Sequence, residues 1–137
     1  MAAARLKWFG IAVVVLLIWP AVAYADPVAE CQTITANQVE TGQCLQDTLG
    51  AAAAVMSESL QRAQAKADSI DQVTGRPGAR QALDRSQTAW TQFRDINCDV
   101  PGALAAGGSG SGQFVIGCQI DMTRARTLEL REFASDP

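Results

Sequence analysis

The sequence predicts an all-α fold, a small antiparallel bundle of about three main helices with two disulfides. Apolar residues recur at spacings of three and four over long stretches, which is the period of one helical face. Clusters rich in glycine and proline separate these stretches. Strand signals are thin, because the only short β-branched run, 114–116, shows no alternation of apolar and polar residues.

Residues 1–25 predict a secretory signal peptide. A basic start precedes the apolar run 11–18, which is shorter than the ~20 residues that a membrane-spanning helix needs. Pro20 and an Ala-Tyr-Ala triplet ending at Ala25 follow, a pattern typical of signal peptidase cleavage. We expect cleavage after Ala25, with an uncleaved anchor as the alternative. The mature domain, 26–137, would then lie in the periplasm or be secreted, without membrane attachment.

The composition argues against several classes of function. Only two of the 11 basic side chains and none of the 14 acidic ones precede residue 26, so the mature domain has nine against fourteen and a net charge of −5. This charge disfavours nucleic acid and anionic lipid, and it suits a cationic protein partner. The absence of histidine removes the commonest general base, the usual nucleophile pairs and most zinc sites. We therefore expect neither a cofactor nor a metal.

Four cysteines lie in the mature chain: Cys31, Cys44, Cys98 and Cys118. An even count in a small exported domain predicts two disulfides. Three pairings are possible, and proximity in sequence favours Cys31 with Cys44 and Cys98 with Cys118. A four-thiolate metal site is the alternative, disfavoured because the chain has no C-x-x-C spacing.

The first long helix is predicted from Thr35 to about Val73. Its apolar face is formed by residues three or four apart: Leu45, Leu49, Ala53, Met56 and Leu60. Thr35 and Gln38 resemble a capping box at its start. The glycine and proline cluster at 75–78 predicts a turn after it.

The second helix is predicted over 79–97, with Trp90 and Phe93 at the centre of its apolar stripe. Cys98 is expected to end it. Residues 99–112 contain five glycines and a proline in fourteen positions, which predicts a long loop rather than a regular element.

The third helix is predicted from Gln113 to about Phe133. One side of it should carry Val115, Cys118, Met122, Ala125 and Leu128. The three arginines of this segment, Arg124, Arg126 and Arg131, are expected mostly off that side.

The whole mature chain resembles the LprI-type lysozyme-inhibitor-like domain of bacterial envelope proteins. The resemblance is carried by Cys31, Glu40, Cys44, the run Ser86-Gln87-x-Ala89-Trp90-x-x-Phe93-Arg94-Asp95-x-x-Cys98, Gly107-Gly108-Ser109, Cys118 and Thr123-x-x-Arg126-x-x-x-Leu130. The run through Trp90 is its most specific part. The resemblance implies an exported helical domain with two disulfides and, for the named member of the family, inhibition of lysozyme. This chain lacks the lipid-attachment cysteine of that member.

Seven residues form a motif to which we assign a structural role: Glu40, Gln87, Trp90, Phe93, Arg94, Asp95 and Arg126. Trp90 and Phe93 are expected in the core. Adjacent helical positions point about 100° apart, so Arg94 and Asp95 should find partners elsewhere, with Glu40 or Glu129 rather than Arg126 serving Arg94. Such ties would fix how the helices dock, and a surface role in binding is the alternative.

The glycine-rich segment 99–112 is the candidate for partner binding. A disulfide between Cys98 and Cys118 would anchor both of its ends and lower the entropy lost when it enters a concave cleft. The candidate contact residues are Asp99, Ser109, Ser111 and Gln113. A flexible connector that binds nothing is the alternative.

The sequence predicts a binding protein rather than an enzyme. Carboxylate pairs such as Asp68 with Asp71 lie on expected helix surfaces, without the apolar surroundings that raise a catalytic pKa. We expect an inhibitor of lysozyme-type cell-wall hydrolases that occludes the active-site cleft. The alternative is an envelope interaction or immunity module that binds another partner and does not inhibit lysozyme.

Overall fold

The computed structural model describes residues 25–108 and 110–135. Four helices follow one another: α1 (Pro27–Gln32), α2 (Gln38–Thr74), α3 (Ala79–Leu104) and α4 (Ser111–Ala134). The described ranges contain no strand, and the predicted all-α class is confirmed. The predicted signal peptide lies almost entirely outside the described residues.

Two disulfides join the helices in the pairing that proximity in sequence favoured. Cys31 and Cys44 link α1 to α2, with 5.8 Å between their Cα atoms. Cys98 and Cys118 link α3 to α4 at 5.5 Å. Each disulfide therefore closes one short excursion of the chain.

Helix α1 was not predicted, although its start has a clear sequence signal. The Asp26 side chain accepts a hydrogen bond from the backbone N–H of Val28 at 2.9 Å, and Pro27 occupies the first helical turn. An aspartate followed by a proline is a standard helix start, because Pro has no N–H to leave unsatisfied there.

The predicted start of α2 at Thr35 is wrong by three residues. Asn37 caps the helix, and its side chain accepts from the N–H groups of Val39 and Glu40. The Glu40 carboxylate accepts from the N–H of Ala36 at 2.8 Å, while the Thr35 hydroxyl donates to the carbonyl of Cys31. Glu40 is thus occupied at the start of its own helix.

The turn between α2 and α3 lies where the sequence predicted it. Gly75 adopts a left-handed φ of 62° and ends α2. The Asp71 carboxylate then accepts from the N–H groups of Ala79 and Arg80 at 2.9 and 3.2 Å. These two bonds lower the pKa of Asp71 from its ordinary value of 3.8. A carboxylate of α2 therefore caps α3.

The long loop predicted over 99–112 is wrong for much of its length. Helix α3 continues to Leu104 with Pro101 inside it, and α4 begins at Ser111. Pro101 removes only one helical hydrogen bond, and the neighbouring disulfide holds these last turns against α4. The connection is reduced to 105–110, where Ala106 and Gly107 reverse the chain with φ of 52° and 73°.

Gly102 allows α3 and α4 to approach closely at this end. A Cβ added there would lie 2.5 Å from Cγ2 of Val115, whereas one at Gly50 in α2 would meet nothing within 4 Å. The stiff β-branched Val115 cannot withdraw without moving its helix. The close packing of the hairpin therefore depends on the missing side chain of Gly102.

Gly102→Ala is expected to destabilise the domain by about 1–2 kcal/mol. Overpacking costs ~1–3 kcal/mol, and the higher helix propensity of alanine offsets ~0.5–1 kcal/mol of that cost. The matched control Gly50→Ala should stabilise it by ~0.5–1 kcal/mol, since space is free there. Urea unfolding measures both. Equal shifts of the two midpoints in the same direction would contradict the close packing.

The core consists of two clusters along the bundle. One is formed by Val28, Cys31, Leu45 and Ile120, and the other by Ala63, Ala67, Leu83 and Leu130. The predicted apolar side of α4 is wrong in part, because Leu128 is 46% exposed while Thr123, Arg126 and Thr127 are buried. Thr127 can be buried because its hydroxyl donates to the carbonyl of Thr123 at 2.9 Å.

Candidate functional site

A buried arginine lies at the centre of the contacts between α3 and α4. Arg126 is 5% exposed, against the expectation that it lies off the packed side of its helix. Its guanidinium donates to Oε1 of Gln87 at 3.1 Å and to Oγ of Ser86 at 3.0 Å. It also donates to Oε2 of Glu129 at 2.8 Å. One side chain of α4 thus binds two successive positions of α3.

Aromatic rings cover the same guanidinium. The Arg126 Cζ atom lies 5.9 Å from the ring centre of Trp90 and 5.8 Å from that of Phe133. The guanidinium of Arg94 lies over Trp90 as well, at 5.3 Å. The half-buried Trp90 ring therefore contacts two guanidinium groups, a contact that favours arginine over lysine.

Two expectations for this motif are wrong, one of them only in part. Phe93 is 58% exposed rather than in the core, because the core-facing side of α3 passes through Leu83 and Cys98 instead. The expectation for Arg94 is wrong in part, because Arg94 binds its neighbour Asp95, with Nε and Nη2 at 2.9 and 2.8 Å from Oδ1. Its Nη1 also donates to the Thr123 hydroxyl of α4 at 3.4 Å, which does tie the two helices. The Cβ atoms of adjacent residues diverge, but the arginine stem is long enough to bend back. Glu40 and Glu129 do not bind Arg94, since each has the local partner described above.

The candidate partner-binding residues lie at one end of the bundle. Asp99 is exposed on α3, and Ser111 is the first residue of α4. Gln113 is already occupied, because its Nε2 donates to the carbonyl of Gln38 at 2.9 Å and so ties the starts of α2 and α4 together. Ser109 lies outside the described residues. The end that carries these residues is the hairpin of α3 and α4 beyond the Cys98–Cys118 disulfide.

A row of exposed apolar side chains runs along α3 toward this hairpin, which sequence analysis missed. The exposed fractions are 58% for Phe93, 71% for Ile96, 53% for Val100 and 80% for Leu104. Their spacing of three, four and four was visible in the sequence. The predicted helix end at Asn97 hid it, because residues assigned to a loop are not tested for a helical period.

One carboxylate of α4, close to α1, has an oxygen without a hydrogen-bond partner. Oδ1 of Asp121 is buried and has no hydrogen-bond partner among the described residues. Burial is the main cause that raises the pKa of Asp121 above its ordinary value of 3.8; Arg124 lowers it, and Asp26 and Glu30 raise it. Arg124 itself pairs with Glu30 at 3.1 Å, which ties α1 to α4.

Asp121→Asn is expected to raise the Tm at pH 7 by a few degrees at most. In a domain of this size a stabilisation of 1 kcal/mol raises the Tm by ~4–8 °C, and the gain here should be smaller. Because the pKa of Asp121 is raised on folding, the folded state binds a proton more tightly than the unfolded chain, so ionisation destabilises the fold. The gain should shrink as the pH falls toward 3.8 and vanish below it. Thermal unfolding across this range tests it, with the exposed Glu132→Gln as charge control. A gain that persists at pH 3 would contradict the assignment.

Neither metal-site nor membrane-spanning features occur in the described part of the chain. No group of three or more potential metal-ligating side chains is found within 25–108 and 110–135. Across the same residues, no helix is long and apolar enough to cross a membrane.

In the described residues, four helices and two disulfides form a small helical domain, with a buried arginine-aromatic contact between α3 and α4. Structural disulfides of this kind are typical of extracytoplasmic proteins. The family model described as "Lysozyme inhibitor LprI" matches residues 29–130, and the chain belongs to this family. The family is one of inhibitor domains rather than enzymes, and membership supports a lysozyme-inhibitor-like role in protein binding.

One similar protein is an uncharacterized protein of Rhizobium meliloti (strain 1021). It is 32% identical over 112 residues, which cover 78% of this chain and 80% of that protein. No solved structure matches the chain. The match to the family model confirms the family resemblance seen in the sequence.

Proposed function

We propose that the mature domain, 26–137, is exported and inhibits lysozyme-type cell-wall hydrolases by placing its α3–α4 hairpin in the active-site cleft. The observation that carries the proposal is family membership over 29–130 combined with a hairpin end that a disulfide crosslinks. Cleavage after Ala25 would release the domain into the periplasm or the medium. The absence of a catalytic role is part of the same proposal.

The hairpin has the stiffness that insertion into a cleft requires. The Cys98–Cys118 disulfide joins the two helices, and the contact of Gly102 with Val115 packs them together beyond it. Only the short connection 105–110 remains outside the helices. A preorganised wedge loses less conformational entropy on binding than the flexible loop expected from the sequence.

Charge supports a cationic partner. The mature domain carries a net charge of −5, from nine basic and fourteen acidic residues. A field of this sign speeds encounter with a basic hydrolase, and salt weakens the effect. Inhibition should therefore set in more slowly as salt concentration rises.

A titration of the oxidised mature domain into a lysozyme cell-wall lysis assay tests the proposed function. Inhibition that saturates near one to one, and that a reduced and alkylated sample lacks, is the expected result. Binding to another envelope protein with no effect on lysis would support the immunity or interaction module instead.

The occlusion mechanism needs a variant of the hairpin tip. Gly108→Glu should fold normally, since its Cβ would meet only the carbonyl oxygen of Ala105 at 3.5 Å. It should weaken inhibition at least about tenfold, because the added side chain clashes with the cleft wall. Gly50→Glu adds the same charge about three turns into α2 and should inhibit like the wild type. Unchanged inhibition by Gly108→Glu would remove the mechanism and leave the partner in place.

A further inference from the structure

The outer face of α3 carries an apolar surface that no described residue of the domain covers. We define the α3 stripe as Phe93, Ile96, Val100 and Leu104. All four side chains are more than half exposed. Soluble monomers rarely expose contiguous large apolar groups without a binding role. The stripe therefore needs a partner.

The geometry of the helix makes the stripe one continuous surface. At about 100° per residue, its four members fall within about 80° of one another, and Cys98 points to the opposite side, into the core. The stripe is ~16 Å long from Phe93 to Leu104. Its far end reaches the last residue of α3, directly before the hairpin connection.

The charge beside the stripe is negative and unneutralised. Asp99 lies about 100° to one side of Val100 and makes no ion pair within the described residues. Asp95 is bound by Arg94, so it contributes little net charge. The carbonyl end of α3 adds the negative pole of the helix dipole near Leu104. A partner surface that is apolar at its centre and basic at its edge would complement this arrangement.

A second copy of the chain complements it poorly. In an antiparallel two-fold pairing, Ile96 would meet Val100 of the partner, but the two Asp99 carboxylates would face each other near the axis on the same edge. A parallel pairing would bring the two negative helix ends together. Both arrangements oppose like charges, and a cationic partner removes the conflict.

We infer that the α3 stripe, edged by Asp99, is the surface on which the cationic hydrolase docks. This inference rests on the proposed function and extends it. The stripe lies against the rim of the cleft and provides most of the contact energy, while the hairpin tip blocks the cleft. Anchoring by apolar side chains in a desolvated centre, with charge at the rim, is the usual anatomy of a tight interface.

The test compares matched variants of the oxidised protein in the lysozyme lysis assay and in a direct binding titration. Ile96→Ser with Leu104→Ser should raise the inhibition constant by at least ~100-fold, about tenfold for each anchor. Val39→Ser with Val73→Ser is the control, because both side chains are 84% exposed and lie off the stripe. It should inhibit like the wild type.

The charge is tested separately. Asp99→Lys should slow association about tenfold at low salt, and added salt should reduce the difference. Glu132→Lys makes the same change of charge on α4 and should have a smaller effect.

Each outcome decides between the two claims. If the wild type inhibits and Ile96→Ser with Leu104→Ser inhibits equally well, the α3 stripe is not the docking surface, and the proposed function still stands. Absence of inhibition by the wild type overturns the proposed function and the stripe with it. A wild-type dimer in sedimentation that Ile96→Ser with Leu104→Ser dissociates would identify a second copy as the occupant and overturn the inference.

Discussion

Arg126→Ala is expected to lower the free energy of unfolding by about 3 kcal/mol. This is near the low end of the cost of breaking a buried ion pair, because the partner Glu129 is half exposed. The change leaves the amide oxygen of Gln87 and the hydroxyl of Ser86 without the donor that binds them. It also opens a space beside Trp90. A loss of this size is a large part of a total stability of ~5–15 kcal/mol.

Urea unfolding of matched variants separates the causes. Arg126→Lys keeps the charge, but its single ammonium nitrogen cannot reach Gln87, Ser86 and Glu129 at once as the three guanidinium nitrogens do. It should therefore recover less than half of the loss. Arg131→Ala removes an exposed arginine of the same helix and should change stability by less than about 0.5 kcal/mol. A loss below 1 kcal/mol for Arg126→Ala would show that this contact is dispensable.

Features set by local chemistry could be predicted from the sequence. The helical periods gave the all-α class, and the cluster at 75–78 marked the turn between α2 and α3. The disulfide pairing was predicted because it joins the cysteines that are nearest in sequence. These features depend on residues within about twenty positions of each other, so that spacing alone contains the information.

Features that depend on tertiary packing could not be predicted from the sequence. Pro101 and the glycines predict a loop by local preference, but the disulfide and the contact at Gly102 extend the helix through them. Arg126 is a charged residue, which a hydrophobicity pattern places on the surface. It can be buried because Ser86 and Gln87 accept its hydrogen bonds and an aromatic ring covers its guanidinium, and these contacts are not visible in the sequence. Here tertiary contacts outweigh local preferences of ~1 kcal/mol for a glycine and ~3 kcal/mol for a proline inside a helix.

The candidate site shows the same division. The sequence predicted partner binding at the hairpin end through Cys98, Cys118 and Asp99, and this stays a prediction. It assigned Gln113 to the partner and did not show that this side chain also binds the start of α2. It also placed Phe93 in the core, and the opposite exposure of that ring is what reveals the α3 stripe.

Replacing Cys98 and Cys118 with serine is expected to cost about 3 kcal/mol of stability, given the 20-residue separation of the pair. The same replacement of Cys31 and Cys44, 13 residues apart, should cost nearly as much, because the entropy term varies only slowly with loop length. Thermal unfolding under oxidising conditions measures both losses.

The two double variants should differ in inhibition far more than in stability. Without the Cys98–Cys118 bond, the last turns of α3 can separate from α4, so the hairpin and the end of the α3 stripe lose their fixed geometry before binding. We expect inhibition at least ~10-fold weaker at a temperature where both variants are folded, since the ordering must then occur on binding. The Cys31–Cys44 bond joins α1 to α2 at the same end of the bundle but does not hold α3 to α4, so its loss should leave inhibition within about twofold of the wild type. Equal loss of inhibition in both variants would mean that the disulfides act only through global stability, and that the hairpin is not the part of the domain that the hydrolase contacts.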